Sequence, residues 1–119
     1  MYDNVAVVVP ALDSNQYYSD GDLVRFGDTT LLEWKISQVL GVASKENIYV
    51  STPSDKIIDL VQNYGVNFIK RSDGTAPSQW IKESVESINK KIILWTLVTS
   101  PFISTGDYSS MLKTYSELP

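Results

Sequence analysis

The chain has 119 residues and a mass of 13.3 kDa, enough for one domain spanning residues 1–119 and not for two. Its 43% hydrophobic and 20% charged residues are those of a globular protein rather than a disordered one. It has no cysteine and no histidine, which excludes disulfides, thiolate or imidazole metal sites and any mechanism needing a Cys nucleophile or a His base, and its net charge of −4 argues against nucleic acid as a partner. No apolar run reaches the ~20 residues of a membrane span, and the N-terminus is not a signal peptide. These features predict a cytoplasmic protein that does not engage a membrane.

Val5-Ala6-Val7-Val8-Val9 is a continuous β-branched run, the pattern of a strand buried on both faces. Pro10 ends it. From Ala11 to Asp28 no periodicity is evident, and a connection this long in a compact domain is usually functional. Thr30 and Glu33 have capping-box spacing, and Leu32, Ile36, Val39 and Leu40 share one face, so a helix is predicted from near Thr30 to a stop at Gly41. Ile48-Tyr49-Val50 predicts a second strand. Thr52-Pro53-Ser54-Asp55 reads as a helix start with Thr52 as cap, Ile57, Val61 and Tyr64 as the apolar stripe and Gly65 as the close. Val66 to Ile69 predicts a third strand. Pro77 introduces a third helix carrying Ile81, Val85 and Ile88 on one face. Ile92 to Val98 predicts the fourth strand, and a last helix starts near Thr105 with Tyr108, Leu112 and Tyr115 aligned.

Strands alternating with helices imply a parallel sheet covered on both faces, with ligands beyond the carboxyl ends of the strands. The loops to question are therefore Pro10 to Asp28, Ser51-Thr52, Lys70 to Thr75, and Val98 to Asp107. The first carries Asp13, Asp20, Asp22 and Asp28 against one cation, Arg25. It has neither the glycine pattern nor the cations of a phosphate cradle, its spacing fails the EF-hand pattern, and it reads as a solvated acidic loop with no metal. Lys70-Arg71 reads either as a pair of surface cations or as a grip for a phosphate or carboxylate. Thr99, Ser100, Ser104 and Asp107 form a hydroxyl-rich turn that serves equally as a site floor or as a helix cap. Trp34, Trp80 and Trp95 are expected in the core.

Val7-Val8-Val9-Pro10-Ala11 resembles the strand and turn opening the sugar cytidylyltransferases, the acylneuraminate (CMP-sialic acid) and CMP-Kdo synthetases. Phe26 to Ile36 is similar to the start of that family's first helix, Tyr49-Val50-Ser51-Thr52 to its Val-Ser-Thr strand end, and Ile57 to Leu60 with Tyr64-Gly65-Val66 to its next helix. Lys70-Arg71 and Thr99-Ser100-Pro101-Phe102 resemble its basic pair and its last turn. The resemblance implies a Rossmann-like three-layer α/β sandwich with a mostly parallel sheet, of the nucleotide-diphospho-sugar transferase (GT-A-like) type. It implies CMP transfer from CTP, with Mg2+, to an acidic sugar such as sialic acid, as in capsule or lipopolysaccharide sugar synthesis. The positions it assigns to the nucleotide are Pro10, Ala11, Leu12, Arg71, Thr99 and Ser100; no catalytic residue is assigned.

The departures concern charge. Where the family's loop grips phosphates with Arg and Lys, this chain has Leu12, Gln16 and Gly21, its Gly-Lys before the helix becomes Asp28-Thr29, and Leu97 replaces a Gln. Carboxylates cannot take the place of cations on a polyphosphate, and each lost charged contact is worth ~1.5–3 kcal/mol. The family is also about twice this long, its second half supplying the sugar site, a metal-binding Asp pair and a dimerisation arm. The chain is therefore expected to be a truncated, degenerate relative, either a fragment or a natural half-length form, inactive alone and self-associating through exposed apolar surface. The alternative is a non-catalytic protein of this fold acting through protein partners or another small ligand. A flavodoxin- or receiver-like domain fits less well, because Pro10-Ala11 and Arg71 stand where a receiver has its acidic residues.

Overall fold

The structure, a computed structural model, describes residues 5–14, 19–71, 81–83, 86, 88–90, 92–96, 98 and 103–117. The β-branched run forms β1 (Val5–Pro10). The chain then makes a short hairpin of β2 (Arg25–Phe26) and β3 (Thr29–Thr30), followed by α1 (Leu31–Val39), β4 (Ile48–Thr52), α2 (Asp55–Gln62), β5 (Asn67–Lys70), β6 (Ile92–Trp95) and α3 (Thr105–Ser116). Strands β5, β4, β1 and β6 lie side by side in that order, and every pairing is parallel. β1 is thus central, which explains its unbroken apolar sequence: neither face reaches water.

Alternate side chains of β1 enter two cores. Val5, Val7 and Val9 pack with Leu32, Ile36 and Val39 of α1, Ile57 and Val61 of α2, and Tyr108 and Leu112 of α3. Ala6 and Val8 face the other way, against Ile88, with Tyr49, Ile69, Ile93 and Trp95 around them. The mostly parallel sheet between helices is the architecture expected from the sequence.

Several boundaries differ from expectation, each for a local reason. The stretch from Ala11 to Asp28 ends in the first strand and the turn of the β2–β3 hairpin, where Arg25 pairs with Thr30 and Phe26 with Thr29. Gly27 takes φ +62°, the positive value that a two-residue hairpin turn requires of its first central residue. The α1 start is as predicted: the Glu33 amide donates to Thr30 Oγ1 at 3.1 Å, and that hydroxyl donates to Glu33 Oε1 at 3.0 Å. Gly41 follows the helix end, but its smallness serves packing, since a Cβ there would lie 2.4 Å from Thr105 Cγ2 at the start of α3. The α2 cap is Ser54 rather than Thr52, with the Ile57 amide donating to Ser54 Oγ at 3.2 Å; Thr52 Oγ1 accepts instead from the Ser54 amide at 3.1 Å. β5 is one residue later than predicted, and β6 stops at Trp95 while Thr96 donates from its amide to Val8 O at 3.0 Å. Ser104 caps α3 with Asp107 in a reciprocal capping box.

Residues 81–83 and 86 are helical as expected after Pro77; Pro77, Trp80 and Val85 lie outside the described residues. Trp34 is not core: it is 40% exposed on the outer side of α1 and packs its ring at 5.6 Å against Phe26 of the hairpin. Trp95 is half-buried, packed on the second core. Tyr115, placed on the stripe of the last helix, is also exposed. One core member was not foreseen. Lys35 is fully buried between α1 and α3, and its Nζ donates to the Tyr108 hydroxyl at 2.6 Å. Burial lowers its pKa from 10.5 to about 8.

Candidate functional site

In this strand order the chain leaves β1 to one side through α1 and returns to its other side as β6, so the topological switch point lies between β1 and β6. Pro10, Ala11 and Leu12 stand at its mouth. The Ala11 amide donates to Ser51 O at 2.9 Å, extending the β1–β4 ladder by one residue. Leu12 then leaves the sheet, partly exposed, and its backbone is clasped: its amide donates to Asp22 Oδ2 at 2.8 Å, and its carbonyl accepts from the Asp22 amide at 2.8 Å. Gly21 makes this approach possible. It has φ +55°, and a Cβ on it would fall 2.5 Å from Leu12 O and from Ser14 N.

Asp22 is buried, which contradicts the reading of the loop as uniformly solvated. Burial pushes its carboxyl upward, opposed by the Leu12 amide and by the charge of Arg71. Asp13 also has a structural partner, since its Oδ2 accepts from Ser54 Oγ at 2.8 Å, which ties the loop to the cap of α2. Asp13, Asp20 and Asp28 are the exposed carboxylates of the loop. The one cation of the loop, Arg25, donates from Nε to Gly27 O at 3.0 Å and so holds the hairpin turn.

The basic pair divides. Lys70 is an exposed surface cation, 2.8 Å from Asp55 at the start of α2. Arg71 is buried at the carboxyl end of β5, its amide donating to Thr52 O at 3.1 Å, and its charge acts on Asp22. The structure therefore brings Pro10, Ala11, Leu12 and Arg71 to one end of the sheet, with Asp22 between the loop and the arginine. Thr99 and Ser100 lie outside the described residues.

A second depression, about 440 Å3, opens beside this end between Asp20 and Leu23, the first turn of α1 and Lys56 and Leu60 of α2. On its wall, Glu33 accepts from the Tyr64 hydroxyl and from Thr30, and these bonds hold its carboxyl below the usual range while raising the Tyr64 phenol. Sequence reasoning identified Glu33 only as a cap partner, since nothing in the spacing reveals Tyr64 across α2. No group of three or more acidic side chains converges among the described residues, and Asp13 and Asp22 are engaged with Ser54 and Leu12. Nor is any helix among the described residues long and apolar enough to cross a membrane.

The sequence pattern of a family described as cytidylyltransferase matches residues 21–119. No curated protein matches the sequence significantly. Among solved structures, the fold is similar to CMP:2-keto-3-deoxy-manno-octonic acid synthetase complexed with CTP, at TM-score 0.84 and 17% identity over 97% of this chain and 48% of that one. It is similar to a cytidylyltransferase from Leptospira borgpetersenii serovar Hardjo-bovis, at 0.77 and 21% over 98% and 51%. A third likeness is to 4-diphosphocytidyl-2C-methyl-D-erythritol synthase from Anaerococcus prevotii, at 0.71 and 17% over 95% and 51%. The chain thus spans about half the length of these structures, and at such identities the likeness is one of fold.

Proposed function

Because this chain belongs to the cytidylyltransferase family, we propose that it holds a cytidine nucleotide at the carboxyl ends of β1 and β6, over Pro10, Ala11 and Leu12, with Arg71 on the flank. The observation that carries this reading is the strand order, which opens the switch-point crevice at those three residues. The reaction of such a site is attack of an acidic sugar's hydroxyl, as in sialic acid, on the α-phosphorus of CTP, with pyrophosphate leaving. Any Mg2+ would arrive with the triphosphate, where it neutralises charge.

In this chain, what remains is weak binding without turnover by the domain alone. Phosphoryl chemistry depends on positioned positive charge, and the loop presents a carboxylate where a polyphosphate needs cations. Arg71 is the one buried cation near this end among the described residues. A second reading, a non-catalytic protein of the same fold, is favoured by one observation: the Leu12 amide, a donor well placed for an anionic ligand, is already taken by Asp22.

A thermal-shift titration with CTP and Mg2+, with ATP and UTP as controls, tests the first reading. A ligand at 100 times its Kd adds about 2.7 kcal/mol, on the order of 10 °C for a domain this size. A CTP-selective rise supports the nucleotide site and calls for a pyrophosphate-release assay with sialic acid. No rise at millimolar CTP overturns it in favour of the second reading.

A further inference from the structure

The turn after β1 carries the amides of Ala11 and Leu12, and the two are held differently. The Ala11 amide is built into the sheet through Ser51 O, whereas the Leu12 amide is held by a side chain, with Asp22 Oδ2 at 2.8 Å. Asp22 is 8% exposed, and the positive charge of Arg71 acts on its carboxylate. A carboxylate that accepts from a backbone N–H beside a guanidinium makes the contacts a phosphate oxygen makes with the same donors.

The fit is close. A Cβ on Gly21 would lie 2.5 Å from Leu12 O and Ser14 N and 2.8 Å from the Asp13 carbonyl carbon, so this end of the loop lies directly on the backbone of residues 12–14. The Asp22 amide also donates to Leu12 O at 2.8 Å. That bond joins backbone to backbone, so turning the carboxylate away frees the Leu12 amide while the loop stays in place. Burial outweighs the Leu12 bond and the Arg71 charge and pushes the Asp22 carboxyl upward, so its desolvation is not fully compensated and its release is favoured by rehydration.

We propose that Asp22 is an autoinhibitory stand-in for phosphate: its carboxylate occupies the Leu12 amide and offsets the charge of Arg71 until a polyphosphate displaces it. This rests on the nucleotide site proposed for this end of the sheet and supplies its regulation. The carboxylate is ten residues from Leu12 in sequence. It competes as an intramolecular anion, at an effective concentration of about a millimolar or more. An anion of several charges, a nucleoside triphosphate or inorganic tripolyphosphate, displaces it; a monoanion does not.

Calorimetric titration with inorganic tripolyphosphate, CTP and UTP at fixed ionic strength tests the proposal on the wild type, Asp22→Asn and Asp22→Ala, with amide spectra following Leu12. Tripolyphosphate is expected to bind at least about tenfold tighter to Asp22→Ala, and about threefold or more tighter to Asp22→Asn, which keeps an oxygen for the Leu12 amide and so preserves the fold. Asp20→Asn takes the same charge from an exposed position of the loop and is expected to change affinity by less than about twofold. In the wild type the Leu12 amide resonance is expected to move on saturation with tripolyphosphate. Unchanged affinity in both Asp22 variants, an equal gain in Asp20→Asn, a Leu12 resonance that stays in place, or no tripolyphosphate binding by any of these proteins would overturn it. The nucleotide reading fails separately: a gain for tripolyphosphate with no preference for CTP over UTP keeps the clasp and removes the cytidine site, while CTP-selective binding indifferent to Asp22 does the reverse.

Discussion

Replacing Lys35 by methionine and Tyr108 by phenylalanine together is expected to stabilise the protein at neutral pH, against the usual outcome of core substitution. The Lys35 ammonium lies in the core with 0% exposure and the Tyr108 hydroxyl as its hydrogen-bond acceptor. Its pKa falls from 10.5 to about 8 because burial penalises the charged form. At ~1.4 kcal/mol per pKa unit, keeping the charge at pH 7 costs the fold about 3 kcal/mol. The lost hydrogen bond returns about 1 kcal/mol. The double variant, which leaves no buried hydroxyl behind, is thus favoured by about 2 kcal/mol, or on the order of 10 °C. The pH dependence is the sharper test. The folded-state pKa lies below the unfolded one, so the cost is fully present below pH 8 and fades as pH rises toward 10.5. Urea titrations of both proteins at pH 7, 8 and 9.5 should show the gap closing by about 2 kcal/mol between the last two. A gap that stays constant or widens over that interval refutes the assignment of a strained ammonium. Tyr108 does not confuse the reading, since burial and the charge of Asp107 raise its pKa above the ordinary 10.0.

Substitutions at three other positions probe the loop and its anchor. Asp22→Ala strips the Leu12 amide of its acceptor and should cost about 1–3 kcal/mol in urea titrations, whereas Asp22→Asn keeps an oxygen in place and should cost less than half of that. Ser54→Ala removes the α2 cap and the partner of Asp13 at once, for a loss of about 1–2 kcal/mol, with faster amide exchange at Ile57. Gly21→Ala meets both a positive φ and two backbone atoms at 2.5 Å; a melting temperature within a degree or two of wild type would show that the clasp on Leu12 is not as tight as described.

Much of this fold could be read from sequence because its signals are local. Val5 to Val9 announces a central strand, Thr30 with Glu33 announces the start of α1, and the alternation of strand and helix announces the parallel sheet. What escaped depends on partners distant in the chain. Asp22 looks like any loop carboxylate until Leu12 is seen beside it. Lys35 looks like a surface cation until α3 closes over it. The Ser54 cap displaced Thr52 because Thr52 is held in the last position of β4, a matter of register rather than of capping preference. The hairpin was within reach, since Phe26-Gly27-Asp28-Thr29 carries a turn signal, but strands of two residues leave no periodicity to detect. For the site, topology pointed to the loop after β1 and the family resemblance to Pro10, Ala11 and Leu12 within it, while the burial of Asp22 and the bond of Asp13 to Ser54 required coordinates.

The place of β1 in the sheet also sets how far apart in sequence its two partners lie. Its partner on one side, β4, is about forty residues away in sequence, while on the other side Val5 aligns with Ile92, nearly ninety residues on. Each doubling of a closed loop adds only about 0.6 kcal/mol of entropy, but the longer closure is rewarded only once its contacts exist. Within Val5 to Lys70 the strand pairings close loops of roughly forty residues or fewer, whereas β6 requires one much longer closure. The crevice between β1 and β6 is therefore framed by the sheet pairing of longest sequence separation among the described strands.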